Sequence, residues 1–175
     1  MKLSYGIACA AGSAFACGAL GDIVEYSGSA NITETGQEFV YTFNNVPLAL
    51  SGGTLTVFGL GDYSIVPPSS ETMTWDMEGI ATDFGFNEEA FEDPNNVDLF
   101  QNQVTQTWEI TFGDMAAVTA DGSLTITLTN SSAVNFFVDQ PDDFLAFRLS
   151  YDAIPAPGSA GVLAAMGLAV MRRRR

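Results

Sequence analysis

Apolar and polar side chains alternate with a period of two over short runs between residues 23 and 151. In the run 72–77, for example, Met73, Trp75 and Met77 fall on one face and polar side chains on the other. Such alternation is typical of strands with one buried and one solvated face. It predicts about eight or nine strands, over residues 23–26, 30–33, 38–43, 54–58, 72–77, 107–112, 123–129, 134–138 and 144–151.

Turn residues separate these runs and set the fold class. Ser51-Gly52-Gly53, Gly61-Asp62, Glu78-Gly79 and Asp121-Gly122 are turn signals, and no long stretch has helical periodicity. We therefore predict an all-β fold, a single antiparallel β-sandwich of the jelly-roll or immunoglobulin-like kind.

Residues 83–103 interrupt the alternation, with phenylalanines scattered among acidic residues and asparagines. We expect a loop over one end of the sandwich, with a short helical turn around 88–91. Two interpretations stay open: a loop whose Phe side chains complete the core, or a functional loop. Trp75 and Trp108 occupy apolar-facing positions and are predicted to be core residues, whereas Tyr63 is predicted to lie in a turn.

Charge is distributed very unevenly along the 175 residues, a length that favours one domain. All 21 acidic residues lie between Asp22 and Asp152, where Arg148 is the single base, so this span carries a formal charge of −20. It also contains no His, Cys or Lys. These absences exclude Ser-His-Asp and Cys-His catalysis, zinc sites built on His or Cys, a disulfide framework and a basic nucleic-acid-binding face. We expect a protein that is not an enzyme; the weaker alternative is a two-carboxylate glycoside hydrolase.

The first 19 residues have the pattern of a secretory signal peptide. Lys2 precedes an apolar, small-residue stretch that ends near Ala16, Cys17 and Ala19, small residues that suit cleavage by a signal peptidase. A buried helix, or a lipoprotein acylated at Cys17, are the alternatives. The predicted organisation is a signal peptide at 1–19, an acidic sandwich domain at 20–152 and a C-terminal segment at 153–175.

The C-terminal segment has three parts in sequence. Pro155-Ala156-Pro157-Gly158 is followed by an apolar run over 159–171 and then by Arg172, Arg173, Arg174 and Arg175. A helix from Pro157 to Met171 would be roughly 22 Å long, shorter than the roughly 30 Å hydrocarbon core of a bilayer. The arginines would keep this end cytoplasmic, with the acidic domain outside. An ordinary short membrane anchor is the alternative.

This order of parts resembles the PEP-CTERM sorting signal of bacterial surface proteins, in a variant with Ala156 where the family typically has Glu. The resemblance covers about 22 of the 175 residues. It implies export, a membrane-anchored precursor, processing near the Pro-x-Pro motif by an exosortase-type enzyme, and a final place at the cell surface or outside the cell. It also implies an association with extracellular polysaccharide. The strand runs look like those of jelly-roll domains that bear this signal, a plan shared by some carbohydrate-binding modules.

Calcium is the one cofactor that the acidic composition suggests. Two clusters of oxygen ligands stand out, with the candidates Asp93 and Asp98 in the first and Asp139, Asp142 and Asp143 in the second. Neither has the spacing of an EF-hand loop, and the alternative is solvated loop charge. The sequence thus favours an exported, non-enzymatic surface or matrix protein. The alternative is a carbohydrate-binding or calcium-dependent adhesive module at the cell surface.

Overall fold

Two antiparallel sheets of four strands each form the described part of the chain. The computed structural model describes residues 21–64, 71–91, 101–137 and 142–154. The strands there are β1 Asp22–Asn31, β2 Glu38–Asn44, β3 Ala49–Gly61, β4 Met73–Met77, β5 Ala81–Phe84, β6 Asn102–Ile110, β7 Ser123–Asn130 and β8 Phe144–Ala153. A short helix, α1 (Phe112–Val118), and a 3-10 turn, Glu88–Ala90, complete the elements. The prediction of an all-β sandwich with about eight or nine strands is confirmed for the described residues, which hold eight.

The strand order is β1-β8-β3-β6 in one sheet, which we call sheet A, and β2-β7-β4-β5 in the other, sheet B. Within these sheets the first strand pairs with the last, the second with the seventh, the third with the sixth and the fourth with the fifth. The chain is therefore organised as one antiparallel ribbon of paired strands that is folded across two layers.

The core lies between the two sheets and is filled by the inward positions of the alternating runs. In β8 the predicted inward residues Leu145, Phe147, Leu149 and Tyr151 are all buried. Aromatic rings join the layers, since Trp75 of β4 meets Trp108 of β6 edge to face at 5.9 Å between ring centroids. Each fully buried large apolar side chain stabilises the fold by about 1.5–3 kcal/mol. The prediction that both tryptophans are core residues is confirmed.

Two predicted boundaries in sheet A are wrong. The runs 23–26 and 30–33 were predicted as separate strands, but β1 is continuous because Gly28, between them, stays paired with Phe147 of β8. Ser51-Gly52-Gly53 was predicted as a turn. It lies inside β3, where the pairing with β8 shifts register between Ala49 and Gly53. Small residues and glycine accommodate such a bulge without ending the strand.

The end of β6 also differs from the prediction. The alternation suggested a strand through Phe112, but β6 ends at Ile110 and Phe112 begins α1. Thr111 is the N-cap: its Oγ1 accepts a hydrogen bond from Asp114 N at 3.2 Å and donates one to Asp114 Oδ2 at 2.8 Å. This local exchange satisfies free backbone donors at the helix start and competes with the strand. Phe112 is consequently half exposed rather than buried.

A further prediction fails in the region between β7 and β8. A strand was predicted over 134–138, but residues 131–137 form turns and irregular backbone, and residue 138 lies outside the described part. Val134 is nonetheless fully buried. Tyr63 lies in the connection after β3, and its side chain is fully buried in the core.

The turn at Glu78-Gly79 and the helical turn near residue 88 are confirmed. Glu78 and Gly79 both have positive φ, 57° and 70°, the backbone that a tight hairpin between β4 and β5 requires. In the irregular region, Phe86 packs against the core and Phe91 is buried, whereas Phe84 is exposed. The described part of this loop therefore does complete the core, with Phe84 as the exception.

Candidate functional site

Strand direction gives the sandwich two distinct ends. We call the end where β1 and β3 begin and β8 ends the exit end, since the described chain enters and leaves there at Gly21 and Ile154. The opposite end, the distal end, carries the β1–β2, β3–β4, β5–β6 and β7–β8 connections. Of the calcium candidates, Asp142 and Asp143 are described, and they fall in the β7–β8 connection at this end.

Three groups of carboxylates converge at the distal end, although they are far apart in sequence. They are Asp62, which follows β3, Glu71, which precedes β4, and the pair Asp142 and Asp143, which precedes β8. We call these four residues the distal acidic cluster. Their mutual influence is seen in the pKa values: the negative charge of Asp62 contributes to raising those of Glu71 and Asp143.

Asp143 is the most constrained member of the cluster. Its side chain is fully buried, with 0% of its surface exposed. Its Oδ1 accepts a 2.6 Å hydrogen bond from Gln101 Nε2, and its backbone oxygen accepts one from Ile32 N at 2.9 Å. Oδ2 is buried without a hydrogen-bond partner. A buried carboxylate oxygen without a partner destabilises the folded state, because it has lost its hydrogen bonds to water and no protein donor replaces them.

The pKa of the Asp143 carboxyl is raised chiefly by this burial. The hydrogen bond from Gln101 opposes the rise, while the charges of Asp62 and Asp142 add to it. A proton or a cation near Oδ2 would relieve the unfavourable charge.

Asp62 is also buried, with 4% exposure, but its environment differs. Its Oδ2 accepts hydrogen bonds from the backbone N–H of Asn135 at 3.1 Å and from Asn135 Nδ2 at 2.8 Å. These bonds fasten the β7–β8 connection to the end of β3. Asp62 is therefore a structural member of the cluster as well as a source of negative charge.

Tyr63, next to Asp62 in the chain, forms hydrogen bonds with two asparagines. The Tyr63 hydroxyl donates to Asn130 Oδ1 at 3.0 Å, and Asn102 Nδ2 donates to the backbone oxygen of Tyr63 at 2.7 Å. Burial raises the pKa of the Tyr63 hydroxyl, so it stays a neutral donor. These bonds tie sheet A to sheet B just beneath the acidic residues.

Only part of the predicted calcium set can be located. Asp143 belongs to the buried cluster and Asp142 is exposed beside it, whereas Asp93, Asp98 and Asp139 lie outside the described residues. Across 21–64, 71–91, 101–137 and 142–154, no group of three or more Asp, Glu, His or Cys side chains is placed to hold a metal ion. The sequence reasoning missed Asp62, Glu71, Gln101 and Asn135, because no local spacing links residues that only the fold brings together.

The sorting residues of the sequence also lie outside the described part. They are Ala16, Cys17 and Ala19 near the N-terminus, and Pro155, Ala156, Pro157, Gly158, Arg172, Arg173, Arg174 and Arg175 near the C-terminus. The described part contains no helix of the length and apolarity that a membrane span requires.

A cleft lies between the edges of β5 and β6. This cleft has a volume of about 240 Å³ and is lined by Trp75, Trp108 and three carboxylates, Asp83, Glu109 and Asp114. Trp75 and Trp108 are only 4% and 9% exposed, so the faces of their rings pack against other core side chains. Trp75 Nε1 is likewise buried without a partner. The cleft therefore offers carboxylate oxygens but no ring face on which a sugar could stack.

No protein-family model matches the chain, and no curated protein sequence matches it.

Proposed function

We propose that this chain is an exported, non-enzymatic bacterial surface or extracellular-matrix protein, delivered by an N-terminal signal peptide and sorted by its C-terminal segment. Its processing partners are a signal peptidase and an exosortase-type enzyme. Its final place is at the cell surface or outside the cell, in contact with extracellular polysaccharide. Until it is processed, the C-terminal apolar segment holds it in the membrane.

The observation that carries the proposal is the ordered C-terminal segment. Pro155-Ala156-Pro157-Gly158 stands directly behind β8, and an apolar run and four arginines follow it. Prolines do not continue a strand ladder or a preceding helix, so they separate the sandwich from the apolar run. An apolar run too short for a relaxed span, followed by clustered arginines, suits a segment that is held in the membrane for recognition.

The sandwich presents a polar, threonine-rich surface, which suits a scaffold. The pairing of β1 with β8, β2 with β7, β3 with β6 and β4 with β5 favours the jelly-roll over the immunoglobulin-like arrangement. Threonines line the solvated faces and pair across strands, as Thr56 and Thr107 do at 3.0 Å between hydroxyl oxygens. Arg148, the only base among the described residues, is already bonded to Glu25. A binding role for nucleic acid is therefore not part of the proposal.

The experiment is to determine the mass of the mature protein from a host that carries the processing enzyme. We expect a product that lacks the signal peptide and everything beyond about residue 158. The double variant Pro155→Ala, Pro157→Ala should accumulate as an unprocessed membrane form. Pro47→Ala, a proline of the sandwich itself, is the matched control and should be processed normally. Surface protein that retains the four arginines would refute the sorting role.

A calcium-dependent adhesive module is the second candidate, and Asp143 is the observation that favours it. A buried carboxylate oxygen without a partner, beside a second buried carboxylate, is suited to an oxygen-liganded cation. Asp93, Asp98, Asp139 and Asp142 are the further candidate ligands. Calcium would then order the distal end for contact with another surface.

A further inference from the structure

The two ends of the described chain emerge side by side at the exit end. Asp22 of β1 is paired with Ala153 of β8, and Ala153 is paired in turn with Ala49 of β3. Ile154 continues this ladder, since its N–H donates to the backbone oxygen of Leu48 at 2.9 Å. Whatever is attached before Gly21 and after Ile154 therefore begins at the same end of the sandwich.

The exit end is also where exposed apolar side chains gather. Among the described residues, nine large apolar side chains are exposed, and six of them lie at this end. These six form what we call the exit patch: Ile23, Leu48, Leu50, Ile80, Phe112 and Ile154. Single exposed apolar residues are ordinary on a soluble surface, whereas a concentration at one end indicates a contact surface.

Close approaches place four members of the exit patch near the point where the chain leaves the sandwich. The Leu50 side chain lies against Gly21, where a Cβ would be 3.2 Å from Leu50 Cδ2. Leu48 and Ile154 are joined by the backbone hydrogen bond described above. Phe112 lies beside the bulge of β3: a Cβ built on Gly52 would be 3.4 Å from the Phe112 backbone nitrogen. Leu48, Leu50, Phe112 and Ile154 thus lie near the point where the chain leaves the sandwich, with Ile80 in the β4–β5 hairpin at the same end.

The length of chain beyond Ile154 restricts what can cover this patch. Four residues, 155–158, separate Ile154 from the apolar run 159–171. Five Cα-to-Cα steps span at most about 17 Å even when fully extended. With the run in the bilayer, the exit end must lie within about that distance of the hydrocarbon core, a range that includes the headgroup layer, which is roughly 5–8 Å thick.

We propose that, in the membrane-held precursor, the exit patch rests on the lipid bilayer itself, so that the sandwich stands on its exit end with the distal acidic cluster facing away. This inference rests on the membrane anchoring in the proposed function. Apolar side chains at the headgroup boundary gain by leaving water, and the tether supplies a high local concentration. A second copy is a poorer occupant, because residues 22–152 carry a charge of −20 and repel their like.

The charges around the patch specify the kind of lipid surface. Asp22 and Asp152 are exposed at its rim, so an anionic bilayer would repel this end while a zwitterionic one would not. The contact would also keep the start of residues 155–158 close to the membrane, within reach of a membrane-embedded processing enzyme.

The test uses the full chain in phosphatidylcholine vesicles that contain nitroxide-labelled lipid. In a background with Cys9→Ser and Cys17→Ser, an environment-sensitive fluorophore is attached at Leu50→Cys in the exit patch. The matched control is Phe84→Cys, which is 75% exposed at the distal end of β5. We expect quenching by the nitroxide to be at least about threefold stronger at position 50 than at position 84.

The outcomes separate this inference from the function on which it rests. If the protein floats with the vesicles and both positions are quenched equally, anchoring holds and the exit-patch contact is refuted. If the chain does not float with vesicles at all, both proposals fall together. Adding Leu48→Ser and Ile154→Ser, two exposed positions whose change should leave the fold intact, should bring quenching at position 50 down to that at position 84. Unchanged quenching in that variant would also refute the contact.

Discussion

The Tyr41 ring of β2 packs directly over Gly28 of β1, so that a Cβ built on Gly28 would lie 2.5 Å from Tyr41 Cε1. The same Tyr41 ring meets Phe147 of β8 at 4.9 Å between centroids. Gly28 thus leaves the space that lets a ring from one sheet reach the other. This contact closes the side of the sandwich formed by β1 and β2.

Replacing this glycine should destabilise the fold. We expect Gly28→Ala to lower the free energy of unfolding by about 1–3 kcal/mol, because the new methyl group must displace Tyr41 or Phe147 from a packed position. Urea unfolding followed by circular dichroism measures the change. Gly113→Ala is the control, since its nearest neighbour atom would be Thr111 Oγ1 at 3.7 Å. It should be neutral or stabilising by up to about 1 kcal/mol, because alanine favours the helix.

Asp143 should make the fold less stable as the pH rises. Its folded-state pKa is raised, mainly by burial, so the folded state holds the proton more tightly than the unfolded state does. The associated stability is fully present below the unfolded pKa, about 4, and is lost as the pH rises through the raised folded pKa. In the absence of calcium, Asp143→Asn should remove this loss and stabilise the protein by about 1–2 kcal/mol at pH 7.

The measurement is the free energy of unfolding of parent and variant from about pH 2 to pH 7 in the presence of a chelator. Asp121 provides a control of opposite sign. Hydrogen bonds from the Ser123 N–H and hydroxyl lower its pKa, so its stabilising contribution is present above the unfolded pKa and lost as the pH falls. Parallel curves for parent and Asp143→Asn would show that the Asp143 charge costs nothing in the fold.

Calcium should make the parent more stable than Asp143→Asn, whereas without calcium the variant is the more stable of the two. If the cation binds at Asp143, a concentration one hundred times its Kd stabilises the parent by about 2.7 kcal/mol, while Asp143→Asn gains little. Thermal melting at millimolar calcium, with magnesium as the comparison ion, measures this. Equal melting temperatures of the parent with and without calcium would remove the calcium-dependent adhesive function and leave the sorting proposal untouched.

High salt should stabilise the acidic domain. Residues 22–152 carry a charge of −20, and salt at about 1 M shortens the range of their repulsion to about 3 Å. The melting temperature should therefore rise with sodium chloride. Arg148→Gln removes the one base of this span together with its exposed bond to Glu25, worth about 0–1 kcal/mol, and should steepen the salt dependence. A flat response in both proteins would contradict a repulsive origin.

Alternation along the chain was sufficient to predict the strands whose inner face is buried throughout. β8 is the clearest case, because its inward side chains recur at every second residue and all find the core. The prediction failed where local hydrogen bonding competes with the pattern. Phe112 continues the alternation of β6. The hydrogen bonds between Thr111 and Asp114 nevertheless cap a helix that begins at Phe112, so the strand ends before it.

The distal acidic cluster could be predicted only in part. Asp142 and Asp143 stood out because they are neighbours in a cluster of acids, whereas Asp62 looked like an ordinary turn residue after glycine. Asp62 reaches the cluster because β3 ends at the end of the sandwich where β8 begins. Which of the acids is buried also depends on packing: Asp142 remains exposed while its neighbour Asp143 loses all contact with solvent.

The sequence by itself determined the strand periodicity, the segregation of charge and the terminal patterns on which the proposed sorting role rests, since each is a property of residues close together along the chain. The tertiary structure decided the pairing of first strand with last, which brings Gly21 and Ile154 to one end. It also decided that exposed apolar side chains gather at that end and buried acids at the other. The physical reason is that alternation specifies which face of a strand is buried, but only the packing of two sheets decides which strands, and hence which loop residues, become neighbours.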